Sequence, residues 1–207
     1  MMSNYIRKHW KPIIFSLSIL IFVIITKLLL SEQIHYFDDF VYNIISKLRC
    51  EPLTCFFKFI SFLCSTWFLI FTTIIIMAFS KNKKNGFYIA LNVLICCLLN
   101  QSLKYLFART RPIDINLIVE NGYSFPSGHS MVSLAFYGFF IYIIAHKRIK
   151  KNKKIFYCIL LSLLTLLIGI SRIYLGVHYA SDVLAGFALS MAYLIIYIKL
   201  FYKKMER

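Results

Sequence analysis

Two histidines, three arginines, a lysine and an aspartate fall in three short stretches of a chain that otherwise reads as lipid-soluble. In "SRIYLGVHYASD", His178 and Asp182 are four residues apart, the spacing that stacks side chains on one face of a helix. A carboxylate accepting the proton of one imidazole nitrogen fixes the tautomer, frees the other nitrogen to attack, and steadies the cation that forms. The same pair can equally cap a helix or line a proton path, and Arg172 beside it favours an anionic substrate. In "SFPSGHS", Pro126 and Gly128 bracket a tight turn in which glycine permits close backbone approach. The helix that follows points its free N–H groups back at the turn, which makes an anion cradle, and the Ser127 hydroxyl adds a donor. His129, in the first helical turn, changes protonation near neutral pH and can give a proton to a departing alkoxide. A plain helix cap with an interfacial histidine has the same pattern. In "KYLFARTRP", Lys104 and Arg111 are seven apart and share a helix face for as long as the helix persists, with Pro112 expected to stop it. No acid accompanies them, so they call for an anion: arginine offers a planar fork and lysine a point charge. A basic pair meeting lipid headgroups is the alternative.

The elements that must position these residues are membrane helices. The 207 residues are 60% hydrophobic, against roughly 45–50% apolar in soluble domains. Apolar runs long enough to span a bilayer lie near 13–30, 59–79, 87–107, 129–145, 155–173 and 182–202. The expectation is an all-α, single-domain polytopic protein over 1–207, six transmembrane helices in a bundle. Between the first two runs, Ile34, Phe37, Val41, Ile44, Ile45 and Leu48 recur at helical spacing, with Asp38, Asp39, Asn43 and Ser46 off that stripe. This predicts an amphipathic helix along the membrane interface, although packing over the bundle explains it as well. The first run exceeds a signal-peptide core and lacks a small-x-small cleavage site, so it reads as a retained anchor.

The net charge of +16 is a topology signal rather than a nucleic-acid footprint. Sixteen of the 24 lysines and arginines cluster before the first helix (Arg7, Lys8, Lys11), in "KNKKNG", in "HKRIKKNKK" and in the tail from Lys199 onward. These segments are expected in the cytoplasm, with both termini. The other loops carry Glu32, Asp38, Asp39, Glu51, Asp114, Glu120 and Asp182, and the three chemical stretches share that outer boundary. Lys27 and Lys58 can snorkel from helix ends, and His9, His35 and His146 read as solvated. Asn92, Asn100 and Gln101 suit interhelical bonding, the last two also lying within a turn of Lys104. Cys64, Cys96, Cys97 and Cys158 fall in apolar runs, while Cys50 and Cys55 either pair in an oxidising compartment or stay free.

Together, Lys104 to Arg111-Pro112, Pro126-Ser127-Gly128-His129, and Ser171-Arg172 to His178 and Asp182 resemble the signature of the type 2 phosphatidic acid phosphatase family, the membrane lipid phosphatase branch of the vanadium haloperoxidase superfamily. Every motif position is matched in order, and the resemblance covers roughly residues 59–202. The soluble haloperoxidases of that superfamily do not fit six spans. The resemblance implies His178 as nucleophile forming a phosphohistidine, Asp182 as its orienter and His129 as general acid. It implies Lys104, Arg111, Ser127, Gly128 and Arg172 as phosphate binders, with no metal or other cofactor. It further implies a membrane lipid substrate at the outer face of a bacterial cell membrane. Undecaprenyl pyrophosphate and phosphatidylglycerophosphate come first, then phosphatidic acid. Nucleic acid is not an expected partner, and oligomeric state is not legible. An anion transporter or channel with six helices is the alternative, and predicts charges at several depths; a silent scaffold of the same fold is another.

Overall fold

The computed structural model describes residues 2–79, 83–112 and 116–202, with side chains from residue 10 onward except at 83 and 202. Lys81, Asp114, Lys203, Lys204, Glu206 and Arg207, and the side chains of Arg7, Lys8, His9 and Lys83, lie outside the described residues. The regular structure among these residues is helical throughout: α1 (Met2–Leu30), α2 (His35–Ser46), α3 (Glu51–Phe62), α4 (Thr66–Phe79), α5 (Lys83–Phe107), α6 (Gly128–His146), α7 (Lys151–Tyr174) and α8 (Ala180–Tyr197), closed by a π-helical turn (Ile198–Tyr202).

α1 and α5 to α8 are long and apolar enough to cross a membrane, and α3 with α4 makes a sixth span if that bent pair counts as one. The run expected as one helix over 59–79 is therefore two, bent by 49° at the break. Hydrogen bonding explains why the chain tolerates the break there. The Tyr137 hydroxyl donates to the Leu63 carbonyl (2.7 Å), and Ser65 Oγ accepts the Phe68 N–H (3.3 Å). Both groups would otherwise be unsatisfied at membrane depth, where each orphan is expensive.

α6 occupies the centre, packed against α5, α7 and α8. Its Met131, Ala135, Phe136 and Phe139 form the core with Ile89, Cys96, Ile168 and Tyr197. Without a strong hydrophobic drive between helices in lipid, close packing and interhelical hydrogen bonds set their register, each bond contributing on average about 0.6 kcal/mol. Asn92 acts in the way expected, donating to the Ala135 carbonyl (2.7 Å), while Ser190 Oγ donates to the Met131 carbonyl (2.7 Å). At Gly186 the α8 backbone comes so close to α6 that a Cβ there would lie 2.9 Å from the Ser127 carbonyl oxygen.

Two expectations change, and one open choice closes. α5 ends at Phe107, because Ala108 takes a left-handed φ of 44°, so Lys104 and Arg111 do not share a helix face. Arg111 instead arrives on the irregular segment that follows. α2 forms where expected, but Asp38, placed on its polar face by periodicity, is only 2% exposed, whereas Phe37, Ile44 and Leu48 of the apolar stripe are exposed. Polar partners on α8, given below, pull the carboxylate inward. Cys50 and Cys55 are free thiols: Cys50 caps α3 and Cys55 lies inside it. Five residues along a helix separate Cα atoms by roughly 8–9 Å, beyond disulfide reach.

Candidate active site

The ends of α5 and α7 and the starts of α6 and α8 meet at one end of the bundle. α7 terminates in a Schellman motif, in which Val177 N–H bonds the Arg172 carbonyl (3.2 Å) and Gly176 N–H that of Ile173 (3.0 Å). That motif needs a left-handed residue, and Gly176 supplies it with φ 74°. His178 follows directly, before α8 begins, so the pair with Asp182 spans a helix entry rather than one helical face. Asp182 sits in the first turn of α8 and accepts the Tyr179 N–H (2.9 Å), half of a capping box. The other helix start is tied to this one: Ser127 N–H donates to the Asp182 carbonyl (3.0 Å).

His178 is buried, with Nδ1 3.4 Å from Asp182 Oδ2 and Nε2 3.2 Å from Arg111 Nη1. A guanidinium only donates, so Nε2 is the acceptor and the ring proton lies on Nδ1, facing the carboxylate. Burial, and then the charges of Arg172, Arg111 and Lys104, hold the imidazole well below its ordinary value of 6.5. The ring is thus a neutral base with its lone pair on the side of the cations, the state a nucleophile needs.

His129 lies in the first turn of α6, within electrostatic range of Arg172, His178, Lys104 and Arg111. It borders two cavities. One, of about 560 Å³, is the more polar of the two, a cleft lined by Lys58, Ser61, Glu120 and Arg172 beside Phe62, Trp67 and Leu175. The other, of about 580 Å³, is an apolar groove between α4 and α5 lined by Leu69, Ile74, Val93 and Leu94. The helix break at Leu63–Ser65 stands beside His129, and Cys64 Sγ is 3.5 Å from its carbonyl. Ser127 is fully buried, its Oγ accepting from Ser130 N (3.4 Å) and from Ser130 Oγ (3.0 Å), so it caps α6. Asn100 donates to the Pro126 carbonyl (3.0 Å) and its Oδ1 lies beside Gly128, which gives it a hold on the turn.

Several neighbours of this cluster escaped the sequence reading. Arg109 bridges two carboxylates: Nη1 donates to Asp182 Oδ1 (2.6 Å) and Nη2 to Asp38 Oδ2 (2.8 Å). Its guanidinium carbon lies 4.0 Å from the Tyr179 ring centroid. Asp38 also accepts Ser181 N–H (2.8 Å) and Oγ–H (2.7 Å), so α2 caps the start of α8. The cations are not free of acids, as their sequence neighbourhood suggested, because Arg172 bonds Glu120 and Ser61. Lys104 and Arg111 are occupied by backbone carbonyls of the same Glu120–Tyr123 stretch. The buried ionisable side chains Asp38, Arg172, His178 and Asp182, among the described residues, all belong to this end, whereas an ion pathway needs them at several depths.

Residues 84–206 match the family model described as PAP2 superfamily. Phosphatidylglycerophosphatase B of Bacillus subtilis (strain 168) is 41% identical over 112 residues, 53% of this chain and 54% of that protein. The chain therefore matches about half the length of that relative. Undecaprenyl-diphosphatase of Sulfolobus acidocaldarius is 25% identical over 189 residues, 88% of this chain and 87% of that protein. The crystal structure of a transmembrane PAP2 type phosphatidylglycerolphosphate phosphatase from Bacillus subtilis superposes with a TM-score of 0.84 at 29% identity, covering 93% of this chain and 98% of that one. The crystal structure of Aquifex aeolicus LpxE gives 0.61 at 28% identity, covering 77% and 93%.

Proposed function

On the premise that this chain belongs to the PAP2 superfamily, we propose that it is a membrane lipid phosphatase, hydrolysing a phosphate monoester or pyrophosphate of a lipid. The observation that carries this reading is the position of His129 between an apolar groove and a polar cleft. A lipid tail lies in the first, its phosphate in the second, and the scissile bond beside the imidazole. Undecaprenyl pyrophosphate and phosphatidylglycerophosphate suit the site because a long apolar tail and a terminal phosphate are all it asks for. The relatives named for these substrates support the same choice.

In this mechanism His178 Nε2 attacks phosphorus in line with the lipid oxygen. As the N–P bond forms, the P–O bond breaks and its electron pair goes to the lipid oxygen, which takes a proton from protonated His129. Asp182 keeps the Nδ1 proton and steadies the positive ring. Arg111, now donating to Nε2, turns with Lys104 and Arg172 to the phosphate oxygens, joined by the Gly128 N–H at the start of α6, while the Ser127 N–H stays bonded to the Asp182 carbonyl. These donors stabilise the charge that spreads over phosphorus. Water, deprotonated by His129, then cleaves the N–P bond and releases phosphate. The lysine-rich segments at the opposite ends of the helices support a site at the outer face, with both termini cytoplasmic.

The test is phosphate release by the protein purified in detergent, from a panel of lipid phosphates, with chelator present and His178→Ala alongside. Release is expected to survive chelation and to vanish in the variant, and acid-labile, base-stable phosphate should be trapped on His178 during turnover. Full activity of His178→Ala would overturn the nucleophile, and loss with chelator would replace this mechanism with a metal-dependent one.

A further inference from the structure

The stretch Glu120–Tyr123 holds all three phosphate-binding cations at once. Arg172 Nη2 is paired with Glu120 Oε1, and Arg111 Nη2 lies 3.9 Å from Glu120 Oε2. Arg111 also donates through Nε to the Gly122 carbonyl (2.9 Å) and through Nη2 to that of Asn121 (3.0 Å), while Lys104 Nζ donates to the Tyr123 carbonyl (2.5 Å). Gly122, with φ 78°, lets the stretch curl around the cations, and it is anchored on either side by Leu117 N–H to the Leu175 carbonyl (2.9 Å) and Ser124 N–H to the Arg109 carbonyl (2.8 Å). Only Glu120 contributes a charge, and its side chain is 28% exposed, facing the polar cleft.

We propose that Glu120 is a built-in occupant of the phosphate cradle, a carboxylate that must be displaced before any phosphate can bind and that thereby excludes the phosphodiester headgroups of the surrounding bilayer. This inference rests on the lipid phosphatase reading above.

A carboxylate on an arginine fork uses the same charge-assisted bonds as a phosphate oxygen pair. An anion that binds only the opened cradle has its apparent affinity reduced by the fraction of time the cradle is open. That reduction is the same for every anion, so it acts as a threshold rather than as a change in preference. A diester headgroup carries one negative charge, no more than the carboxylate it must displace. A phosphate monoester carries about −1.5 to −2 near neutral pH, by analogy with a phosphorylated side chain, and it has the stronger grip on three cations. Diesters, present in vast excess at the membrane surface, fall below occupancy, and the monoester or terminal pyrophosphate stays above it. Bare cations in the same position would be filled by bulk lipid.

The test compares wild type, Glu120→Gln and Glu120→Asp in uncharged detergent. Anisotropy reads the binding of a fluorescent short-chain phosphatidylglycerol, and displacement of that probe reads the binding of inorganic phosphate. Glu120→Gln is expected to bind both about tenfold more tightly, with Glu120→Asp between the two. Added phosphatidylglycerol should then inhibit phosphate release from a soluble aryl phosphate by Glu120→Gln at concentrations that leave wild type unaffected. Unchanged or weaker binding of both ligands by Glu120→Gln overturns the proposal. Tightening for inorganic phosphate alone overturns the exclusion of diesters. Binding is measured without turnover, so a wild type that releases no phosphate counts against the phosphatase reading and leaves this comparison intact.

Discussion

Replacing Arg109 by methionine tests whether the network behind Asp182 sustains catalysis. Arg109, Asp38 and Asp182 have side chains 8%, 1% and 0% exposed, and the guanidinium is the one cation bonded to both carboxylates. Burial works against the Arg109 charge, but Asp182 and Asp38 outweigh it and raise its pKa above the ordinary value. Methionine fills the space of the stem and leaves two buried carboxylates facing each other. Removing one partner of a buried ion pair costs about 3–5 kcal/mol, and at roughly 2–4 °C per kcal/mol for a chain of this size the midpoint of thermal inactivation should fall by about 6–20 °C. Below that midpoint, proton uptake by the carboxylate pair removes the anion that orients His178, and kcat should fall by about 10²–10⁴ with KM nearly constant, the scale of a lost acid–base function. Adding Asp38→Asn should recover at least about half of the lost thermal stability, because one buried charge is then gone. The assay is phosphate release from a soluble aryl phosphate in micelles, with inactivation followed across temperature. A kcat within twofold of wild type and an unmoved midpoint would refute the reasoning.

Four further outcomes are expected. Gly186→Ala drives a methyl toward the Ser127 carbonyl, and should destabilise by about 1–3 kcal/mol and slow turnover, measured by inactivation midpoint and kcat. His129→Ala should slow release from lipid phosphates far more than from an aryl phosphate with a good leaving group; equal slowing removes its acid role. His178, followed by imidazole ¹⁵N NMR, should remain neutral when titrated from pH 7 through 6.5, its folded pKa being depressed. Protonation of that ring favours the unfolded chain, so its contribution to stability is present above pH 6.5 and is lost as pH falls toward the folded value. Asn82→Cys, in a background without other accessible cysteines, should resist an impermeant maleimide in intact cells and react after permeabilisation.

The residues that meet at the candidate site were legible because, once the lysine-rich segments are set aside, few charged residues and histidines border the apolar runs. His178, Asp182, His129, Arg172 and Arg111 come together at one end of the bundle. What escaped depends on which elements pack. Asp38 was read as an outer-side acid on the polar face of an amphipathic helix, since nothing local indicates that its carboxylate caps a helix start 143 residues away. Arg109 sat two residues from Arg111 without a partner in view, because both its carboxylates come from other helices. The break in the second span had a local signal in Ser61, Ser65 and Thr66 interrupting the apolar run. Hydropathy over a window averages such residues away, and only the Tyr137 hydroxyl makes the interruption affordable. The end of α5 was misplaced because Pro112 is the stronger breaker on paper, while the actual stop is the left-handed Ala108.

The composite origin of the centre has a consequence for biosynthesis. Asp38, Ser61, Lys104, His129, Arg172 and Asp182 come from α2, α3, α5, α6, α7 and α8. A nascent chain released before its last hairpin has entered the bilayer holds anchors and basic loops, yet lacks both His178 and Asp182, one of the two carboxylates bonded to Arg109. Such a fragment leaves Arg109 with Asp38 as its one remaining carboxylate partner, so the network behind His178 is complete only after the final insertion step.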